Sequence, residues 1–244
     1  MRDRSILEPT FELYVIPRDF KRYPIKKGGV CEVATNDANY ITNVNERLPN
    51  GKQKLIWKCP VYEVWSGVIN RGFSYREKLK QPTYKDITVC PEWLLFSNFR
   101  NWWIENSVRN WQLDKDILHR GNLMYSPESC IYIPGYINNL LIDSAATRGD
   151  YPLGVSKDKD RNKFQSYVGW GECRKWLGRF NTPMDAHKAW QAAKIDCIKD
   201  SIARYTEEST NFGVFDQRIV SSLEGRISIL QDDVDNGRET FALH

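Results

Sequence analysis

The sequence contains no long hydrophobic run. No segment approaches the roughly 20 apolar residues that are needed to cross a bilayer, so we expect no membrane-spanning helix. The first residues, MRDRSILEPTF, also lack the charged, apolar and small-residue order of a signal peptide. We therefore expect a soluble protein of the cytoplasm that does not associate with a membrane.

Closely paired cysteines are also absent. The six cysteines form no C-x-x-C pair and lie at positions 31, 59, 90, 130, 173 and 197. Zinc modules usually bring their ligands in such pairs, so we do not expect a structural Zn²⁺ site assembled from Cys59, Cys90 and Cys130. Most of the six should be small buried residues of an intracellular protein.

The charge is unevenly distributed along a chain whose 41% hydrophobic and 13% aromatic content is sufficient for buried cores. Residues 1–153 have 21 Lys and Arg against 17 Asp and Glu, residues 154–204 have 11 against 6, and residues 205–244 have 3 against 8. The net charges are therefore +4, +5 and −5. A compact positive segment beside an acidic tail is typical of a polyanion-binding module, although a solvated basic face would show the same balance.

The first hundred residues give coarse signals. Residues 1–57 contain short apolar stretches and a polar, loop-like segment, so they are interpreted as strands and loops. Apolar spacing after Pro60 predicts a helix at about residues 60–70. Residues 84–90 alternate and predict a strand, and residues 91–106 predict an amphipathic helix.

Residues 113–139, LDKDILHRGNLMYSPESCIYIPGYINN, combine acidic and amide side chains in a pattern that we call the acidic frame. Asp114 and Asp116 are predicted to lie on one strand, which a Gly-Asn turn and a return strand, CIYI, follow. The amide pair Asn138 and Asn139 follows that return strand after four residues, PGYI. Carboxylate and amide oxygens are ligands that hard divalent cations prefer, so the frame predicts a cation site.

Residues 154–180 predict a three-stranded antiparallel meander, because turn-forming DRN and GWGEC segments separate three short strands. The helix that follows begins with Thr182 as its N-cap, Pro183 at the first position and Asp185 at the third. Apolar residues then recur at helical spacing and should pack on one sheet face. They are Ala186, Ala189, Trp190, Ala193 and Ile198.

The other face of this sheet is predicted to be free for binding. Period-two alternation groups Lys163, Gln165 and Tyr167 on one strand with Arg174 and Trp176 on the next. Arg and Gln can read base edges in a major groove, while Lys contacts phosphate. The alternative is that Trp176 packs in the core and the cations are merely solvated.

The last forty residues predict an acidic amphipathic helix. Its apolar stripe either packs on the body of the protein or pairs with a second copy in a homodimer, although Gly225 disfavours a long coiled coil. The stripe consists of Phe215, Ile219, Leu223, Ile227, Leu230 and Val234.

The segments GVS, KFQSYV, KWLGRF and TPMDAHKAW resemble the plant ethylene-response-factor type of DNA-binding domain, which also occurs in phage and mobile-element proteins. The resemblance implies that the three-stranded sheet is the surface that binds double-stranded DNA. It also implies that Arg174 and Trp176 occupy positions that touch DNA. Ser156 and Asp158 replace arginines of the plant members, so sequence specificity does not carry over.

The upstream half resembles phage HNH homing endonucleases that have this domain appended. The segments that carry the resemblance are NDANY, CPVYEVW, YKDITVCPEWLLFSNFRNW, LDKDI and YSPESC. The family implies an HNH-like ββα-metal fold and hydrolysis of a phosphodiester bond with Mg²⁺ or Mn²⁺. In this sequence Asp114 and Asn139 fall at the metal-ligand positions, and Lys115 occupies the position of the catalytic histidine.

Replacement of that histidine leaves the water-activating base open. An ordinary lysine ammonium is protonated at neutral pH and holds phosphate rather than abstracting a proton. Asp116 and His119 are the alternative bases. Asn122 is a further candidate catalytic residue, but its more plausible role is to fix the turn. Glu128 is expected to begin the segment before Cys130, and His187 is expected to pack or be solvated on its helix.

The predicted protein is α+β and has four parts. An N-terminal extension, an HNH-like nuclease domain, a sheet-plus-helix DNA-binding domain and a helical tail are expected at residues 1–57, 58–149, 150–205 and 206–244. The first hypothesis for its function is site-selected DNA cleavage. The second is a catalytically silent repressor or site blocker with Lys115 as a phosphate contact, and the third is a module that docks an acidic protein partner.

Overall fold

The computed structural model describes residues 25, 29–141, 150–158, 160–170 and 173–243. The strands and loops expected before residue 25, and the linker expected near Gly149, lie outside these residues. In chain order the elements are β1 (Asn43–Arg47), β2 (Gln53–Lys58), α1 (Pro60–Phe73), α2 (Tyr75–Lys80), β3 (Thr88–Val89), α3 (Phe96–Asn106), β4 (Gln112–Asp114), β5 (Met124–Tyr125), β6 (Ile131–Ile133), α4 (Gly135–Leu140), β7 (Val155–Asp158), β8 (Lys163–Trp170), β9 (Cys173–Phe180), α5 (Pro183–Asn211) and α6 (Gln217–Asp235).

The predicted α+β class is confirmed, and the described chain forms two compact units. The N-terminal unit lies within residues 4–109 and 122–132. The C-terminal unit contains residues 110–121 and the chain from Ile133 onward. The strand that carries Asp114 therefore belongs to the same unit as the three-stranded sheet.

An aromatic core holds the N-terminal unit together. The predicted helix at residues 60–70 is confirmed as α1, and its buried face includes Val61 and Trp65. Trp65 packs against Phe96 of α3, with ring centroids 5.2 Å apart, and donates through Nε1 to the Trp93 carbonyl at 2.6 Å. Because an indole N–H must find an acceptor when it is buried, this bond satisfies the one polar atom of the Trp65 side chain.

One expectation for the N-terminal unit was wrong. Only Thr88–Val89 of the predicted strand at 84–90 is extended, because Pro82 begins a 3₁₀ turn and the short strand pairs with β5 in parallel. The polar, loop-like segment in the region interpreted as strands and loops forms the antiparallel β1–β2 hairpin. Its strands alternate poorly because most of their residues face solvent, and Gly51 turns the chain at φ 78°.

The predicted sheet-plus-helix module is confirmed in the C-terminal unit. Strands β7, β8 and β9 form an antiparallel meander that packs on α5, with Ser166 and Val168 of β8 buried on the inner face. The predicted N-cap is also correct, since Thr182 Oγ1 accepts from the Asp185 N–H at 3.1 Å. Helix α5 continues well past Tyr205, to Asn211.

The apolar stripe of the tail lies on α6 and packs within the C-terminal unit. Ile219, Leu223 and Leu230 are fully buried, whereas Phe215 before the helix is 41% exposed. The stripe thus covers its own chain, which was one of the two alternatives, and pairing with a second copy stays a prediction. Among the described helices, none combines the length and the apolarity that crossing a membrane requires.

Candidate functional site

The outer face of the β7–β9 sheet, opposite α5, combines cations, an amide and aromatic rings. Antiparallel pairing sets Tyr167 opposite Trp176 and Gln165 opposite Arg179, so these four side chains point to the same side. By alternation Lys163, paired with Asp158, and Arg174, paired with Gly169, share that side. The five residues predicted for DNA binding are therefore together on one face.

Trp176 is a surface residue. Its side chain is 54% exposed, which rules out the alternative that it packs in the core. The Arg179 guanidinium lies 5.6 Å from the centroid of its ring. Together the exposed ring and the cation offer a ligand an apolar surface next to hydrogen-bond donors.

A second cation and aromatic pair lies on the neighbouring part of the outer face. The Arg174 guanidinium stacks 4.1 Å from the Tyr167 ring centroid. Tyr167 in turn donates its hydroxyl hydrogen to Oε1 of Gln165 at 3.0 Å. These contacts restrict the rotamers of three polar side chains before any ligand arrives, which lowers the entropy cost of binding.

Asp158 is the acidic member of this face. Its Oδ2 accepts from Arg179 Nε at 2.8 Å, and its carboxylate is buried. A hydrogen bond from Gln165, with the contribution of Arg179, lowers the pKa of Asp158 below its ordinary value. The carboxylate therefore stays ionised, and it orients both Gln165 and Arg179.

Alternation alone did not identify Arg179 as a residue of the outer face. Counting in steps of two from Arg174 and Trp176 places positions 178 and 180 outward. A β-bulge interrupts the register, because Ser166 pairs with Gly178 while the next residue, Tyr167, pairs with Trp176. Gly178 has φ 132°, so a glycine inside an otherwise regular strand was the available signal.

In the acidic frame, Asp114 ends strand β4 and fixes the turn after it. Its Oδ1 accepts from the N–H groups of Asp116 at 2.8 Å and Ile117 at 2.6 Å. Burial raises the pKa of Asp114, and the two N–H groups oppose that rise. Asp116 lies beyond the strand rather than on it as predicted, since this side-chain turn stops the extended backbone.

Lys115 is buried beside Asp116. Its Nζ donates to Asp116 Oδ1 at 2.5 Å, and only 7% of the residue is exposed. The ion pair neutralises one of the two candidate bases and keeps the ammonium away from solvent. The lysine is the buried member of this pair, since the Asp116 side chain is 35% exposed. The contact is therefore structural first, because loss of the carboxylate would remove the opposite charge beside the buried ammonium.

Helix α6 holds the backbone of this turn. The buried Arg226 donates to the carbonyls of Asp116 at 3.4 Å, Ile117 at 3.3 Å and Leu243 at 2.8 Å. Ser222, one turn earlier on α6, donates to the same Ile117 carbonyl. A tail helix thus fixes the position of the acidic frame.

Helix α4 carries Asn138 and Asn139 and rests on α5. Lys194 of α5 donates to the Leu140 carbonyl at the C-terminal end of α4, where a cation complements the helix dipole. Asn138 donates to Oε1 of Gln112 on β4 at 2.5 Å, whereas Asn139 is exposed. Of the two amides, that of Asn139 is the more accessible to a cation, and its role as a ligand stays a prediction.

The remaining candidates have simpler environments. His119 is exposed on the turn after β4. Asn122 exchanges hydrogen bonds with the backbone of Met124, so it fixes the turn. Glu128 is exposed, and hydrogen bonds lower its pKa. His187 is fully buried, and both ring nitrogens bond to backbone groups.

The donor set of Asp114 and Asn139 consists of hard oxygens, which fits Mg²⁺ or Mn²⁺. Within the described ranges, no group of three or more His, Cys, Asp and Glu side chains could hold a metal ion. A cation at this position would therefore depend on backbone, amide or phosphate oxygens and on water for its other ligands.

No protein-family model matches the chain, and searches of curated proteins and of solved structures also return no match. The function must therefore be inferred from the chemistry and geometry of the residues.

Proposed function

We propose that the protein binds duplex DNA through the outer face of the β7–β9 sheet. The observation that carries this proposal is the exposed Trp176 among Arg174, Arg179 and Gln165. A small sheet can enter the major groove, where a guanidinium reads guanine and an amide reads adenine. Lys163, at the start of β8, is suited to a phosphate contact.

The restrained side chains support recognition of a selected sequence over general charge attraction. Asp158 contributes a negative charge that weakens attraction to phosphate, yet it orients Arg179 and Gln165. A site designed only for phosphate would gain nothing from this carboxylate. The Asp158 carboxylate instead orients Arg179 and Gln165, the groups that would read bases.

We further propose that the acidic frame cleaves the bound DNA as an HNH-type homing endonuclease. Asp114 and Asn139 would hold a Mg²⁺ or Mn²⁺ ion, which supplies charge stabilisation at the scissile phosphate. Burial and two N–H donors fix the Asp114 carboxylate, as a preorganised ligand requires. Water activation falls to His119, which is exposed, to Asp116, or to another base.

The Lys115–Asp116 ion pair favours a second candidate, a DNA-binding protein that does not cleave. Lysine replaces the histidine expected at this position, and its partner is one of the two remaining candidate bases. In this case the protein acts as a repressor or blocks a site. Both candidates share the DNA-binding face.

Two experiments distinguish the candidates. Bound sequences are first selected from a random duplex pool, and linear and supercoiled targets are then incubated with the protein and Mg²⁺ or Mn²⁺. The matched variant is Asp114→Asn, which keeps an oxygen for the two N–H donors but removes the charge that binds a metal. Cleavage that Asp114→Asn abolishes supports the endonuclease. Binding without cleavage supports the second candidate, and absence of both supports a module that docks an acidic protein.

A further inference from the structure

The β1–β2 hairpin presents both of its strands to solvent. Residues 45–47 and 49–56 are all exposed, including Leu55 at 52% and Ile56 at 53%. A two-stranded ribbon of this kind buries too little apolar surface to stabilise the unit that carries it. Its exposed residues are therefore available for binding.

The hairpin is strongly basic. It contains Arg47, Lys52, Lys54 and Lys58 against a single acid, Glu46, so its net charge is 4 − 1 = +3. Glu46 lies opposite Lys54 in the register, whereas Arg47 lies opposite the uncharged Gln53. Such a distribution complements a polyanion.

The register sorts the side chains into two different faces. Asn45 lies opposite Leu55, and Arg47 lies opposite Gln53, so these four residues share one face. Glu46 and Lys54 lie on the opposite face by alternation, and the register shift between Val44 and Asn45 leaves Ile56 without a partner in the ladder. We call the four residues the amide face; it has two amides, a guanidinium and an aliphatic group, and no carboxylate.

We propose that the amide face of the β1–β2 hairpin enters the major groove of duplex DNA as a second recognition element. The inference rests on the proposed function, because it assigns a further contact to the same ligand. A two-stranded ribbon fits the major groove in width. Arg47 is suited to guanine, Asn45 and Gln53 to adenine, and Leu55 to a thymine methyl group.

Charge decides between DNA and a second copy of the chain as the occupant. Homodimer interfaces have apolar centres from which charged residues are depleted. Here Leu55 is surrounded by amides and cations, and two copies of a +3 hairpin would repel each other. Phosphates on both sides of a groove would instead neutralise Lys52 and Lys54.

The test compares two triple variants of the full chain in DNA-binding titrations at several salt concentrations. The hairpin variant is Arg47→Gln, Lys52→Gln and Lys54→Gln. The control, Arg76→Gln, Lys80→Gln and Lys85→Gln, removes the same charge from exposed positions of the same unit outside the hairpin. Circular dichroism melting checks that both variants fold as the parent does.

We expect the hairpin variant to bind duplex DNA at least about tenfold more weakly. The magnitude of the slope of log K against log salt should fall by about two, because Lys52 and Lys54 no longer neutralise phosphates. The control should change the slope by less than about one. Equal slopes for the two variants would overturn the inference. A change of molecular mass in light scattering, confined to the hairpin variant, would identify the face as an interface between copies and would also overturn it.

The sheet variant Arg174→Gln separates this result from the proposed function. If the parent binds DNA, the sheet variant weakens binding and the hairpin variant does not, the hairpin inference fails and the proposed function stands. If the parent binds no duplex DNA, both fail. On a selected target, Asn45→Ala and Gln53→Ala should each relax the base preference at one base pair. Unchanged base preferences in both variants would contradict the proposed contact of the amide face with the major groove.

Discussion

Gly154 lies directly against the indole of Trp190. A Cβ at position 154 would be 1.9 Å from Cδ1 of that ring, and the glycine has φ 75°. Both the close approach and the left-handed backbone therefore require glycine at this turn into β7. The contact fixes the first strand of the sheet against α5 and so supports the outer face from behind.

Replacement of Gly154 by alanine should lower the free energy of unfolding by about 2–4 kcal/mol, since overpacking and backbone strain both contribute. Urea denaturation followed by tryptophan fluorescence measures this change. Gly169→Ala is the matched control, because an added Cβ there meets no atom within 4 Å. Equal stability of the two variants would contradict the packing at Trp190.

His187 ties the C-terminal segment to α5. Its Nε2 accepts from the Thr240 N–H at 3.0 Å, so the neutral ring carries its hydrogen on Nδ1 and donates it to the Leu153 carbonyl at 2.9 Å. His187→Leu should cost about 2–4 kcal/mol, because two buried backbone groups lose their partner. The same denaturation assay on His119→Leu, at an exposed position, should show a change of less than about 0.5 kcal/mol.

Trp176 should contribute to DNA binding and little to stability. With 54% of the residue exposed, Trp176→Ala removes few core contacts but takes an aromatic ring from the outer face. We expect DNA affinity to fall about tenfold or more, with an unchanged unfolding midpoint. Phe212→Ala is the matched control, because Phe212 is also 54% exposed but lies after α5 and not on the outer face. This variant should leave DNA affinity unchanged. Loss of affinity in both variants would point to a non-specific effect.

The sequence predicts the C-terminal module well because its signals are local. The Thr182 cap, the apolar spacing on α5 and the turns between strands each act within a few residues. The outward position of Arg179 was missed because one extra residue in β9 reverses the alternation after Trp176. A single glycine, Gly178, is the only local trace of that bulge on the strand.

The acidic frame shows why long-range contacts limit such predictions. The pair Asp114 and Asp116 alternates as a strand should, but the Asp114 side chain binds two backbone N–H groups and ends the strand. Arg226, which secures that turn, is 110 residues from Asp116 in sequence. No periodicity connects the two positions, so only the folded chain reveals that a cation next to the predicted apolar stripe of the tail holds backbone carbonyls.

The last prediction concerns Lys194, a buried amine that bonds to the Leu140 carbonyl. Burial lowers the pKa of Lys194 from its ordinary value of 10.5, because the charged form is poorly solvated inside the unit. Below the lowered pKa both the folded and the unfolded states carry the proton, so this lysine gives no pH dependence there. Between the lowered pKa and 10.5 the unfolded state binds more protons, so stability should rise with pH across this window.

Lys194→Met removes the ammonium but keeps an unbranched side chain of similar length. We expect the variant to lose the rise in stability that the parent shows between the lowered pKa and 10.5, which urea denaturation at a series of pH values measures. Lys188→Met, at an exposed position of the same helix, should retain that rise. If the stability of the parent and of Lys194→Met depended on pH in the same way, the amine would be solvated in the folded protein. Lys194 would then not anchor the C-terminal end of α4.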